Sequence, residues 1–241
     1  WNKHGMCVLA IAWRFHPRWK LVVAANRDEF HDRPAEALHR WKDGNIIAGR
    51  DIRAGGTWLA VSDGGRFAAV TNLRGHGDPD PALASRGALV TGLAAGDVPA
   101  ADQLAGFNPF NAVLIDKDDA RFLSNRPVPV SQPLAPGLHA MSNGPLDPPW
   151  RKTIRLSDAI ARWLADAAHD REALFAGLRD TSPPTGDPDD PAPIFIDNPV
   201  YGTRCSTIVL VDAENEGVIV ERRFDRQGRA IGDTAIAFNW G

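Results

Sequence analysis

The chain has 241 residues, of which 44% are hydrophobic, so it is long enough to bury a sizeable core. A net charge of −3 excludes the strongly basic surface typical of nucleic-acid-binding proteins, and no nucleic-acid partner is expected. No apolar run reaches the roughly 18 to 20 residues of a membrane span, and two cysteines cannot form a disulfide framework, so a cytoplasmic protein without a membrane span is predicted.

The first predicted elements are two apolar strands joined as a hairpin. Residues 7–13 are continuously apolar, which predicts a strand buried on both faces. A second apolar run, 19–25, completes the hairpin. Four polar residues follow where this strand is predicted to end: Asn26, Arg27, Asp28 and Glu29. Such a run is typical of a solvated turn, and the alternative is that these side chains face a cleft.

Further strands are predicted along the middle of the chain, two pairs of them separated by the turn sequences SDGG and DKDD. In chain order they are residues 56–61, 66–71, 111–115, 120–123 and 139–142. Ser85 is predicted to cap a helix that extends to residue 95. Asp147 followed by Pro148 predicts the start of a longer amphipathic helix, and a short helix is predicted over 171–178.

The C-terminal part is predicted to contain a surface loop and three strands. Residues 181–193 are rich in proline and aspartate, which predicts a loop. The strands are residues 206–211, 218–224 and 236–240. Strands grouped before and after helices predict an α+β fold with largely antiparallel sheets. We expect one domain over 6–241, with 1–5 as a tag remnant or a misassigned start.

The stretch GMCVLAIAW places Cys7 directly after Met6, at the head of the first strand. We expect Met6 to be the biological start, because methionine is removed before a small residue such as cysteine. Cys7 would then carry a free α-amine. That group has a pKa of about 7.7 to 8.0 and can act as a base near neutral pH.

Several other polar residues lie beside small residues at predicted strand ends. Asn72 and Asn143 are either turn formers or donors to a ligand, and Arg204 is either a surface ion-pair partner or part of a site. Cys205 is interpreted as a small core residue. The seven histidines show no metal-ligand spacing, so neither a metal nor another cofactor is predicted. The sequence does not indicate an oligomeric state.

Six segments in order resemble the NRDE family, also called the transport and Golgi organisation protein 2 family. They are MC, ANRDE, GGTWLAVSDGGRFAAVTN, SRG, SNGPLDPPWRK and YGTRCSTIVLV. The resemblance covers residues 6–240. That family in turn resembles the N-terminal nucleophile hydrolases, especially bile salt hydrolases, penicillin V acylases and acyl-coenzyme A acyltransferases. The resemblance implies an αββα four-layer sandwich with largely antiparallel sheets.

The resemblance also implies roles for individual residues. Cys7 would be the nucleophile, Asp28 would orient its amine, Asn143 would donate to the oxyanion, and Arg204 would complete the catalytic set. Asn26, Arg27, Glu29 and Asn72 would bind substrate or support these residues. The match is looser for Arg27, because the hydrolases place their early arginine several residues before the aspartate.

Three kinds of function are compatible with these expectations, and the third is a partner-binding protein that has kept the fold and lost the chemistry. The first is an N-terminal cysteine hydrolase or acyltransferase acting on an amide or thioester of a small acyl substrate. A cysteine acts as thiolate and requires nearby positive charge, which Arg204 or Arg27 could supply. The alternative is a non-catalytic carrier or trafficking protein on the same scaffold, with haem or an acyl-coenzyme A or lipid ligand. Fold alone does not decide between them.

Overall fold

Two antiparallel β-sheets stacked face to face form the centre of the structure, a computed structural model that describes residues 7–42, 45–144, 146, 149–183 and 192–241. Sheet A has six strands in the order β10-β1-β2-β11-β12-β13, and sheet B has seven in the order β3 to β9. The strands of sheet A are β1 (Val8–His16), β2 (Trp19–Phe30), β10 (Gly137–Met141), β11 (Tyr201–Asp212), β12 (Glu216–Phe224) and β13 (Ala230–Asn239).

Sheet B is a meander, in which each strand pairs with the next one along the chain. Its strands are β3 (Ala35–Arg40), β4 (Ile46–Asp51), β5 (Leu59–Ser62), β6 (Arg66–Asn72), β7 (Phe110–Ile115), β8 (Ala120–Ser124) and β9 (Val130–Pro133). The helices are α1 (Arg86–Ala95), α2 (Arg151–Ala165), α3 (Arg171–Leu178) and a 3₁₀ helix over Ala101–Gly106. No helix within the described ranges is both long and apolar enough to cross a membrane.

Side-chain alternation along the strands separates three hydrophobic clusters. Leu9 and Val23 point between the sheets, whereas their neighbours Val8 and Val22 point towards α2 and α3. The third cluster packs α1 against the outer face of sheet B. The layers are therefore α2 with α3, sheet A, sheet B, and α1. This arrangement confirms the predicted α+β class and the αββα sandwich.

The structure corrects several element boundaries. β2 continues to Phe30, so residues 26–29 belong to the strand and do not form a turn. β11 begins at Tyr201, five residues before its predicted start, because its polar first half is paired to the end of β2. Strands β3, β4 and β9 were not predicted, since their exposed and buried residues do not alternate regularly.

The predicted start of α1 is observed in the structure, whereas the predicted start of α2 lies outside the described residues. Ser85 caps α1 as predicted, and its hydroxyl accepts a hydrogen bond from the Gly87 N–H at 3.1 Å. The predicted start of α2 at Asp147 and Pro148 lies outside the described residues, and the helix that the structure describes begins at Arg151. Within the predicted loop 181–193, residues 184–191 also lie outside the description.

A contact between two glycines holds the loop after β4 against the start of α1. A Cβ on Gly56 would lie 2.4 Å from the carbonyl carbon of Gly87, so no side chain fits between the two backbones. The Thr57 N–H donates to the Gly87 carbonyl at 3.4 Å beside this contact. The loop and the helix start thereby keep a fixed separation where the two sheets part.

Replacing Gly56 with alanine should destabilise the protein, because one of the two backbones would have to move. Overpacking of this kind typically costs about 1–3 kcal/mol. Thermal unfolding followed by circular dichroism should show a lower Tm for Gly56→Ala. Gly106→Ala is the control, since a Cβ at that position meets no atom within 4 Å. Equal Tm values for the two variants would show that the contact is not close-packed.

Candidate active site

Cys7 lies immediately before β1 and level with Arg27 on β2. The neighbouring residue Val8 pairs with Asn26, and Arg27 itself pairs with Cys205 of β11. Because side chains alternate along a strand, Cys7, Arg27 and Cys205 share the face of sheet A that looks towards sheet B. Asp28 and Asn26 point the other way, towards the helices.

A β-bulge at Arg204 lies between two polar pairs of β2 and β11, one on each face of sheet A. Asp28 is paired with Thr203 and Arg27 with Cys205, so Arg204 is the extra residue on β11. The Arg204 guanidinium turns away from the ladder and donates to the carbonyls of Phe30 at 2.8 Å and Arg33 at 3.0 Å. Arg204 thus stabilises the segment that follows β2 by hydrogen bonds to its backbone.

A cavity of about 710 Å³ opens where the ends of the two sheets separate, and the exposed part of Cys7 lies in its wall. Sites for small molecules commonly have volumes of about 300 to 1,000 Å³. The wall also includes Asn72 and Cys205. Its charged residues are Arg27, Asp28, Glu29, Arg33, Glu36, Arg50, Asp51, Arg53, Asp80, Arg86, Arg204, Glu221 and Arg223.

The Cys7 thiol is neutral at physiological pH in this structure. Burial, together with the nearby Asp28 carboxylate, raises the pKa of the Cys7 thiol to about 12. Two groups oppose this shift: the backbone N–H of Asp28, 3.4 Å from Sγ, and the charge of Arg27. Arg27 is therefore the arginine that most strongly favours the thiolate.

Asp28 is buried on the helix side of β2, with one carboxyl oxygen bonded and the other without a partner. Oδ1 accepts a hydrogen bond from Thr203 Oγ1 at 2.6 Å, whereas Oδ2 accepts none from the residues that the structure describes. Burial raises the pKa of Asp28 to about 7, although the charge of Lys152 lowers it. This carboxyl therefore changes its charge near neutral pH.

Asn143 reaches Cys7 through the adjoining residue Ser142. Ser142 Oγ donates to the Cys7 carbonyl at 2.7 Å, and Asn143 Nδ2 donates to the Asn72 carbonyl at 2.8 Å. Thr71 Oγ1 donates to the Ser142 carbonyl at 2.6 Å. These bonds tie the segment after β10 to the end of β6, so that Asn143 and Asn72 are held beside the start of β1.

Asp51, at the end of β4, joins the two sheets across the cavity. Its Oδ2 lies 3.2 Å from Arg27 Nη2 and 2.5 Å from Arg33 Nε. Glu29 Oε2 lies 3.7 Å from Arg27 and 3.6 Å from Arg33. Burial opposes ionisation of Asp51, but the hydrogen bond from Arg33 holds its pKa below the ordinary value. Arg27 is thereby held in place between Asp51 and Glu29.

Asn26 has a different environment from the other predicted site residues. Its side chain is fully buried and donates to the carbonyls of Leu178 and Ile194, both at 2.8 Å. Its carbonyl oxygen accepts from Ser206 Oγ at 2.6 Å. These bonds connect β2 to the end of α3 and to the chain before β11, on the face of the sheet opposite Cys7.

Cys205 is the second thiol in the cavity wall, and it is buried as the sequence predicts. Burial and the neighbouring Glu221 carboxyl raise the pKa of the Cys205 thiol well above its ordinary range. Glu221 itself accepts a hydrogen bond from the Leu38 N–H at 2.9 Å. Among the described residues there is no group of three or more histidine, cysteine, aspartate or glutamate side chains that could hold a metal ion.

Sequence reasoning missed two basic residues near the site. Arg86 is the first residue of α1 and lines the cavity, and Lys152 is a buried residue in the first turn of α2. Both lie in segments that were recognised as motifs, SRG and SNGPLDPPWRK. Arg86 also breaks a local rule, because helices favour acidic residues in the first turn. A lysine that is only 1% exposed cannot be recognised without knowing the packing of α2.

Comparisons with known proteins agree with this architecture. The model of the family described as Transport and Golgi organisation 2 matches residues 6–226. The human Transport and Golgi organization protein 2 homolog is 31% identical, over 90% of this chain and 92% of the human protein. The Drosophila melanogaster Transport and Golgi organization protein 2 is 26% identical, over 90% of this chain and 91% of the fly protein.

Solved structures with the same fold are N-terminal nucleophile hydrolases. A mutant of conjugated bile acid hydrolase from Clostridium perfringens superposes with a TM-score of 0.52 at 9% identity, over 96% of this chain and 92% of the hydrolase. A Caenorhabditis elegans ortholog of N-acylethanolamine-hydrolyzing acid amidase superposes with a TM-score of 0.50 at 11% identity, over 85% of this chain and 92% of the ortholog. At this identity the likeness shows the fold alone. The chain belongs to the Transport and Golgi organisation 2 family and has the fold of an N-terminal nucleophile hydrolase.

Proposed function

We propose that the protein is an N-terminal cysteine hydrolase or acyltransferase that acts on an amide or thioester of a small acyl substrate. The observation that carries this proposal is the position of Cys7. Its thiol lies in the wall of a cavity of ligand size, beside Arg27 and within 3.4 Å of the backbone N–H of Asp28. The fold neighbours named above include an amidase and a bile acid hydrolase.

The proposed reaction begins with proton transfer from the thiol to the α-amine of Cys7, once the bond to residue 6 has been removed. The described wall of the cavity includes no histidine that could serve as base instead. Sγ then attacks the acyl carbon, and the new oxyanion would be stabilised by the amide groups of Asn143 and Asn72, of which Asn72 is the one in the cavity wall. The ammonium returns its proton to the leaving group as the bond to it breaks, which leaves a thioester on Cys7.

Water or a second nucleophile completes the cycle by attacking the thioester carbon and releasing Sγ. Arg27 favours the thiolate during both steps because its charge lies on the same face of the sheet. Asp28, as a carboxylate, would orient the ammonium group. Asp28 and Glu29 each belong to the NRDE segment, and Glu29 would support the site by its contacts with Arg27 and Arg33.

The carrier alternative has one observation in its favour. With an amide nitrogen at Cys7 the thiol has a pKa of about 12, so a ligand could occupy the cavity without reacting. An acyl-coenzyme A, another lipid or haem would then be transported and not converted. The two proposals differ in what they require of the Cys7 nitrogen.

A comparison of two forms of the protein tests the proposed reaction. One form begins at Cys7 after specific proteolysis, and the other keeps residues 1–6. We expect the first to release thiol from a model thioester, with a burst close to one acyl group per chain, and the second to be inactive. The variant Cys7→Ala of the first form is the control. Equal turnover by both forms, unaffected by Cys7→Ser, would instead support the carrier.

Arg27→Gln should slow the alkylation of Cys7 by iodoacetamide at neutral pH, since it removes the cation that most favours the thiolate. We expect a decrease of roughly threefold to tenfold, measured by mass spectrometry of the labelled peptide. Arg33→Gln is the matched control, because it also removes one arginine from Asp51. If the two variants react at the same rate, the charge of Arg27 does not affect the reactivity of the Cys7 thiol, although both side chains lie on the same face of sheet A.

Asp28→Asn should make the protein more stable and less active. The pKa of Asp28 is raised to about 7 in the folded protein. Below about pH 4 the carboxyl is protonated in both the folded and the unfolded state, so its burial has little effect on the free energy of unfolding. As pH rises from about 4 towards 7 the unfolded state loses this proton more readily, so the free energy of unfolding decreases. At about pH 8 the variant should gain roughly 2–4 kcal/mol in urea unfolding, since one pKa unit corresponds to about 1.4 kcal/mol. Acyl transfer by the Cys7-terminal form should be lost.

Asp51→Asn is the control, and it should change the free energy of unfolding in the opposite direction. Because its pKa is lowered by Arg33, the carboxylate of Asp51 stabilises the fold above its unfolded pKa of about 4. Its replacement should therefore lower the free energy of unfolding at neutral pH. A loss of stability in Asp28→Asn as well would show that the Asp28 carboxylate has a structural role.

A further inference from the structure

Arg86 is the partly buried arginine of the cavity wall with the fewest polar contacts among the described residues. Its Nη1 donates to the Pro109 carbonyl at 3.2 Å. No carboxylate among the described residues forms an ion pair with it, whereas Arg27 and Arg33 share Asp51. The positive charge of Arg86 is therefore not neutralised by the part of the chain that the structure describes.

The local structure makes this charge unfavourable. Arg86 is the first residue of α1, where the backbone N–H groups already give a positive potential, and the first turn of the helix contains no acidic residue. Burial lowers the pKa of Arg86, and the charge of Arg33 lowers it as well, while a charge on Cys7 raises it. An anion in the cavity would relieve each of these unfavourable effects.

The charge of the whole cavity favours an anionic ligand too. The charged residues of its wall are seven arginines and six carboxylic acids. One of those acids, Asp28, has a pKa that burial raises to about 7, so its negative charge is reduced near neutral pH. The cavity is thus electropositive in a chain whose net charge is −3. Such a cleft concentrates anions and repels cations.

We propose that Arg86 binds an anionic group of the substrate, a carboxylate or a phosphate, beside the acyl carbon that Cys7 attacks. The inference rests on the proposed function of Cys7 and adds a substrate class to it. The Gly56–Gly87 contact holds Arg86 at the cavity, because it fixes the start of α1 against the loop after β4. The guanidinium can offer two N–H groups to a planar or tetrahedral anion.

The test compares two alkylating agents of nearly equal size, anionic iodoacetate and neutral iodoacetamide, on the full chain. Both react with the thiolate of Cys7, so the ratio of their rates does not depend on the thiol pKa. Peptide mass spectrometry distinguishes labelling of Cys7 from labelling of Cys205. Because no turnover is required, this result stands even if the acyl-transfer proposal fails.

We expect Arg86→Gln to lower the ratio of the iodoacetate rate to the iodoacetamide rate roughly fivefold or more. Arg86→Lys, which keeps the charge, should retain most of the ratio. Arg162→Gln is the matched control, since it removes the same charge from the exposed end of α2. In the unmodified protein the ratio should fall as salt is raised. This last measurement remains informative if Arg86→Gln does not fold.

Competition by acetate and by inorganic phosphate identifies the anionic group. Whichever anion protects Cys7 from iodoacetamide at the lower concentration, and loses that protection in Arg86→Gln, is the class that Arg86 recognises. A rate ratio that is equal in the unmodified protein, Arg86→Gln and Arg162→Gln would overturn the proposal. Protection that does not change in Arg86→Gln would overturn it as well.

Discussion

The antiparallel register of β1, β2 and β11 determines where the polar groups that sheet A contributes to the site lie. Because Cys7 lies level with Arg27, and Arg27 pairs with Cys205, the thiol and the arginine share one face of sheet A. A slip of one residue would turn the Arg27 side chain towards the helices and the Asp28 side chain towards sheet B. The bulge at Arg204 shifts the register by one residue, so that Asp28 is paired with Thr203, which donates a hydrogen bond to its carboxyl group.

The resulting site contains charges that are partly removed from water and only partly compensated. Asp51 stabilises Arg27 and Arg33, whereas Oδ2 of Asp28 has no hydrogen-bond partner among the described residues. A buried carboxyl in that state lowers the stability of the fold, and groups with strongly shifted pKa values cluster at functional sites. Asp51 therefore helps to hold the site together, whereas Asp28 has the unfavourable burial expected of the role proposed for it.

The sequence predicted the apolar part of the fold better than its polar part. Strands such as β1, whose first six residues are buried, follow from an uninterrupted apolar run. β3 was missed because only Leu38 is buried in it, and the polar end of β2 was interpreted as a turn. The site residues were identified by resemblance to a family. Their faces could not be assigned, since this requires the pairing of strands that are about 180 residues apart in the chain.

The two proposed functions, hydrolase and carrier, differ in what they require of one covalent bond, the one between Cys7 and the residue before it. With an amide nitrogen, burial dominates and the thiol remains neutral. With a free α-amine, the same position gains a base with a pKa near 8 and, after proton transfer, a cation next to the sulfur. An ammonium group there would also lower the pKa of Asp28, because an opposite charge favours the carboxylate. Removal of the residues before Cys7 would thus activate the nucleophile and ionise Asp28 in one step, without any change of fold.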